Sequence, residues 1–105
     1  MKPSWEALYT AGADVVLNGH VHNYERFAPQ TPSGVADPEQ GIREFVVGTG
    51  GNSHLGVGTP IANQETADGT SYGVLRLTLL ESGYRWRFVP VAGAFFADSG
   101  SGACH

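Results

Sequence analysis

Tyr72-Gly73-Val74-Leu75-Arg76-Leu77-Thr78-Leu79-Leu80-Glu81-Ser82-Gly83-Tyr84-Arg85-Trp86-Arg87-Phe88-Val89-Pro90-Val91 carries the strongest structural signal in the chain. Successive side chains of a strand point to opposite faces. Leu75, Leu77 and Leu79 therefore share one face, and Arg76 and Thr78 the other. In the second half Tyr84, Trp86 and Phe88 alternate with Arg85 and Arg87. Leu80-Glu81-Ser82-Gly83 is a turn signal, so the pattern predicts an antiparallel hairpin. One face is leucine and aromatic. The other is arginine-rich and reads most simply as a solvated surface.

Upstream, Arg43-Glu44-Phe45-Val46-Val47 reads as another short strand, closed by Gly48-Thr49-Gly50-Gly51. Ala13-Asp14-Val15-Val16-Leu17 has little polar alternation, which predicts a strand covered on both faces, as in a parallel or mixed sheet. It ends at Asn18-Gly19-His20. Before it, Trp5, Leu8 and Tyr9 fall at helical spacing, with Ser4 as the expected N-cap and Gly12 as the stop. Residues 27–43, with Pro29, Pro32, Gly34, Pro38 and Gly41, read as an irregular excursion. Residues 52–71 are poor in pattern, and a loop of that length is expected to be functional or to pack on something else. Asp98–His105 carries little that folds on its own. The expected class is α/β (an α+β fragment): a short helix, a buried strand and a terminal hairpin within one domain, 1–105.

Composition narrows the function. Ten acidic residues against six basic ones give a net charge of −4 over 105 residues, and no Lys/Arg run suggests nucleic-acid binding. Hydrophobic residues make up 41% and charged ones 15%, too apolar a balance for intrinsic disorder. No apolar run approaches the ~20 residues of a membrane span. Met1-Lys2-Pro3-Ser4-Trp5-Glu6 lacks the apolar core of a signal peptide. Cys104 is the single cysteine, which excludes an internal disulfide and an all-cysteine zinc site.

The residues that carry chemistry are Gly19-His20-Val21-His22, directly after the apolar strand. In an extended chain i and i+2 project to the same side, so both imidazoles can face one site. Neutral imidazole is the commonest protein metal ligand, and ligands of open α/β sheets bind at the carboxyl ends of strands. Gly19 suits a position where the backbone turns or is approached closely.

Val15-Val16-Leu17-Asn18-Gly19-His20-Val21-His22-Asn23-Tyr24-Glu25-Arg26 resembles the last motif of the calcineurin-like metallophosphoesterases. With Tyr-Glu-Arg after the second histidine it is similar to the purple acid phosphatase branch. Glu44–Gly51 resembles the next strand and glycine turn of that branch, the 72–91 hairpin its closing strands, and Asp98–His105 the tail of its bacterial members. The resemblance implies the C-terminal portion of a metallophosphoesterase β-sandwich whose N-terminal half is absent. It implies a two-metal hydrolase of phosphate monoesters, with iron, zinc or manganese as the type of ion. His20 would bind one metal and His22 the other. Paired ions lower the pKa of a shared water and clamp phosphoryl oxygens. Members of this branch are often exported.

The family's other ligand blocks (Asp-x-His, Gly-Asp, Gly-Asn-His and a further histidine) have no counterpart here. Gly51-Asn52-Ser53-His54 is interrupted by a serine and lies after the histidine pair, so it does not replace one. The chain alone is therefore expected to be inactive, to expose apolar surface and to be prone to aggregate. The competing reading is a non-catalytic, small β-rich module whose histidine pair is incidental or holds one metal.

Minor roles follow from the flanks. Asn18 caps the turn or orients His20; Tyr24 is core or stacks near substrate; Glu25 and Arg26 pair with each other as a brace or an exposed ion pair. His54 is a surface residue or a phosphate contact. Gly48, Gly50 and Gly51 form an ordinary turn or an anion nest. Cys104 and His105 lack the oriented base of a nucleophile pair.

Overall fold

The computed structural model describes residues 2–53 and 56–105. Among these residues a helix, α1 (Lys2–Thr10), precedes seven strands. They are β1 (Val15–Asn18), β2 (Tyr24–Phe27), β3 (Arg43–Val47), β4 (Gln64–Asp68), β5 (Gly73–Leu79), β6 (Gly83–Pro90) and β7 (Asp98–Ala103). They form two sheets, ordered β1-β3-β2-β4 and β5-β6-β7. The chain is thus a small β-rich domain with two sheets and one short helix.

Helix α1 already includes Ser4, so Ser4 lies in the first turn and is not the N-cap. Gly12 ends the helix as expected. Its φ is +83°, its N–H donates to the Tyr9 carbonyl at 3.1 Å, and the Ala13 N–H donates to the Leu8 carbonyl at 3.0 Å. This is the paired closure of a left-handed glycine cap, which satisfies carbonyls the helix leaves free.

β1 runs parallel to β3, Val15 opposite Arg43 and Leu17 opposite Phe45. The expected burial on both faces does not hold: β1 is an edge strand, and Leu17 is 53% exposed. Val15 packs against the core between the sheets, but among the described residues no strand pairs with the other edge of β1.

The hairpin of β5 and β6 forms in the expected register, Leu77 opposite Trp86 and Arg76 opposite Arg87. Tyr84, Trp86 and Phe88 are buried against Tyr24 and Phe45 of the other sheet. Phe45 meets Trp86 edge-on at 5.4 Å between centroids, and Tyr24 lies 4.9 Å from Phe88. Such tilted geometries place ring edges on ring faces, the favoured arrangement.

Two arginines share this interior. Arg26 grips Asp98 through Nε at 2.8 Å and Nη2 at 3.1 Å, and Arg43 Nη1 reaches Glu65 at 2.6 Å. Arg26 also pairs with Glu65. The two guanidiniums lie 5.2 and 4.6 Å from the Trp86 ring centre. Glu25 instead accepts from Gln64 at 2.7 Å, so the expected Glu25–Arg26 pair does not form. Adjacent strand residues point to opposite faces, which separates them.

The tail is more ordered than expected: it forms β7 against β6. Gly100 and Gly102 stand opposite Trp86 and Tyr84, and a Cβ at either glycine would overlap those rings. Cys104 N–H then donates to Ser82 O at 2.9 Å, and His105 Nε2 lies 2.9 Å from the Gly41 carbonyl.

Candidate functional site

The histidine loop occupies the connection from β1 to β2. Because β3 lies between those strands, residues 19–23 must cross the carboxyl end of β3. They do so over Gly48, where a Cβ would collide with the Val21 carbonyl and lie 3.1 Å from His22 Cα. The Gly48 N–H donates to the Asn23 carbonyl at 2.9 Å, fastening the crossing.

This crossing removes the premise of an extended backbone. Val21 N–H donates to the Gly19 carbonyl at 2.9 Å and Asn23 N–H to the Val21 carbonyl at 2.8 Å, so two tight three-residue turns follow one another. His20 has φ +73°, the left-handed region that few residues other than glycine adopt. Strained backbone of this kind concentrates at functional sites. His20 is exposed and His22 half-buried.

Around the loop, Asn18 departs from its expected roles, whereas Tyr24 takes the core position expected of it. Asn18 Nδ2 donates to Glu44 Oε2 at 2.7 Å on the sheet's other face, and so neither caps the turn nor orients His20. Tyr24 is core, 0% exposed, with its hydroxyl donating to Asp98 at 2.6 Å. Thr49, in the glycine turn, is buried. It ties the two sheets together, donating from Oγ1 to the Gly73 carbonyl at 2.8 Å and accepting the Gly73 N–H at 3.0 Å. Beside this turn a cleft of about 360 Å³ opens between Leu17, Gly19, Gly50 and Val74. His54 lies outside the described residues.

Asn23 escaped the sequence reading. It is 3% exposed, and its Oδ1 has no hydrogen-bond partner among the described residues. A buried amide oxygen left unpaired costs roughly 1–3 kcal/mol, which singles out this position beside His22. Its only sequence signal was adjacency to the histidine pair.

At the tail, Asp14 accepts the His105 backbone N–H at 2.9 Å and lies 3.3 Å from its ring Nε2. Burial, then the Asp14 charge, pushes the Cys104 thiol up, away from a nucleophile's range.

Among the described residues no three His, Cys, Asp or Glu side chains group closely enough to hold an ion. The donors present are thus two imidazoles, and hard cations require several oxygen ligands. This set does not by itself fit a dinuclear centre. Among the described residues no helix is long and apolar enough to cross a membrane. No family model, no curated protein and no solved structure matches the chain.

Proposed function

We propose that the chain is the C-terminal portion of a two-metal phosphoric ester hydrolase, similar to the purple acid phosphatases. In this reading it contributes His20 and His22 as ligands, and an upstream portion of the same polypeptide contributes the rest. One observation supports it most. The histidine loop sits at the carboxyl end of a parallel edge strand, next to a flank where both sheets stop short. Leu17 of β1 and Leu79 of β5, 53% and 77% exposed, border an apolar groove of about 470 Å³ on that flank. Parallel strands are ordinarily covered on both faces, so an apolar parallel strand that leaves Leu17 exposed calls for more chain to cover it.

The chain's own contribution is positional. Gly48 admits the crossing, Asn23 fastens it, and the left-handed turn at His20 sets the direction in which that residue leaves the backbone. Phosphate monoesters are the substrate class the reading assigns to the complete protein.

The test compares the chain alone with the polypeptide extended at its N-terminus by the flanking reading frame. The extended form is expected to retain close to two metal ions per chain and to hydrolyse p-nitrophenyl phosphate. His20→Ala and His22→Ala in that form should each lower turnover at least 100-fold and release metal. An extended form that holds no metal and turns over no ester supports the competing reading, a non-catalytic β-rich module.

A further inference from the structure

Three of the six basic residues gather on the outer face of β5-β6-β7, a face the reading above does not use. Arg76 stands opposite Arg87, which stands opposite Ser99. One rung along, Thr78 stands opposite Arg85, which stands opposite Ser101. The alternation in sequence places these arginines on one face, and the register sets them opposite and beside one another. These side chains line a cleft of about 640 Å³, within the usual 300–1,000 Å³ of small-molecule sites.

This arrangement is unfavourable unless something compensates it. Like charges directly opposite in a sheet destabilise it. Among the described residues none of the three guanidiniums has a hydrogen bond or ion pair, although the chain has ten acidic side chains. The inner-face arginines are treated differently, since Asp98 and Glu65 neutralise both. Asp98 also borders the cleft, but its carboxylate is engaged by Arg26 and Tyr24 on the inner face, whereas Ser99 and Ser101 stand directly opposite Arg87 and Arg85. Guanidinium forks and hydroxyls are the donors that suit phosphoryl oxygens.

We infer that this face binds a small polyanion with adjacent phosphoryl groups. Arg76 and Arg87 hold one end and Arg85 the other, with Ser99 and Ser101 donating to the remaining oxygens. The rungs are about 6.8 Å apart along the strands, which favours a ligand longer than one phosphate.

The probe is inorganic pyrophosphate, titrated into the isotopically labelled chain and followed by amide NMR, with orthophosphate alongside. Saturable shifts should map to β5, β6 and β7, with pyrophosphate binding at least tenfold tighter. Arg87→Gln should weaken pyrophosphate at least tenfold and, without anion, raise the melting temperature by removing a facing like charge. The wild-type map decides the matter if that variant does not fold. Absent saturation at millimolar pyrophosphate, equal affinity for the two anions, unchanged affinity of Arg87→Gln, or shifts centred on the His20–Asn23 loop would each overturn the inference. None of these outcomes bears on metal retention by His20 and His22, so this site and the phosphatase reading fail separately.

Discussion

Gly48 has room for a hydrogen and nothing larger, because the loop bearing both histidines lies across it. The obstruction is backbone, which cannot rotate away as a long side chain does. Gly48→Ala should therefore lose about 1–3 kcal/mol in urea unfolding and shift the imidazole NMR signals of His20 and His22. Unchanged stability and signals would mean that the crossing is placed wrongly. Asp98 poses a different test at the same scale. Burial pushes its carboxyl up, but hydrogen bonds from Arg26 and Tyr24 and the Arg26 charge outweigh that and hold it below the ordinary 3.8. A group depressed in the folded state contributes fully above its unfolded value and loses that contribution as pH falls through the folded one. Stability should therefore decline from about pH 4 downward. Burial, then Asp98, raises the Tyr24 phenol, and the sign reverses: its contribution is complete below its ordinary 10.0 and declines above it. Asp98→Asn leaves Arg26 partly buried without its fork and should cost about 3 kcal/mol or more, while flattening the acid limb. Urea unfolding of both proteins between pH 2 and 7 reads both effects.

Strands β5 and β6 were legible because apolar residues occupy their inner positions at period two, and β3 because Phe45, Val46 and Val47 form a short apolar run although Arg43 is an inner-face residue. Strand β7 was not, because its inner positions are Asp98, Gly100 and Gly102, and a pattern of apolar residues cannot register a strand whose partner supplies the bulk. The aromatic rings of Tyr84 and Trp86 fill the places those glycines leave empty. Strand β2 was hidden similarly, since Arg26 is an inner-face residue that a hydropathy reading assigns to solvent. The histidine pair was legible as a motif, but its backbone was not: extended geometry assumes the chain runs straight on, whereas the sheet order forces it across β3. Gly100→Ala isolates this complementarity. Its Cβ would overlap the six-membered ring of Trp86 and lie 2.9 Å from Cε2, so the ring must move. In a Trp5→Phe background, where Trp86 is the remaining indole, its emission should shift red and stability should fall by about 1–3 kcal/mol. Ser99→Ala, on the opposite face of the same strand, should change stability by less than about 0.5 kcal/mol. Equal effects at the two positions would sink the argument.

The molecule as a whole is flat and open on one flank. Its extents are 40 × 30 × 18 Å and its accessible surface is 6273 Å², where a monomer of 11.1 kDa is expected to show about 5,700 Å². The excess is in keeping with the flank where β1 and β5 both present free edges and where Leu17 and Leu79 stand exposed. Unpaired edges with apolar side chains template association with other chains. The isolated chain should therefore bind an apolar dye such as ANS and self-associate in a concentration-dependent manner by analytical ultracentrifugation. Leu17→Thr with Leu79→Thr should reduce both while preserving the aromatic core, because neither leucine belongs to it. Under the proposed function, the N-terminally extended polypeptide should lose dye binding without any substitution, since its added strands would cover this flank. A chain that melts sharply and reversibly as a monomer, with no dye bound, would show that the flank is an ordinary surface. The case for a missing half of the sandwich would fall with it.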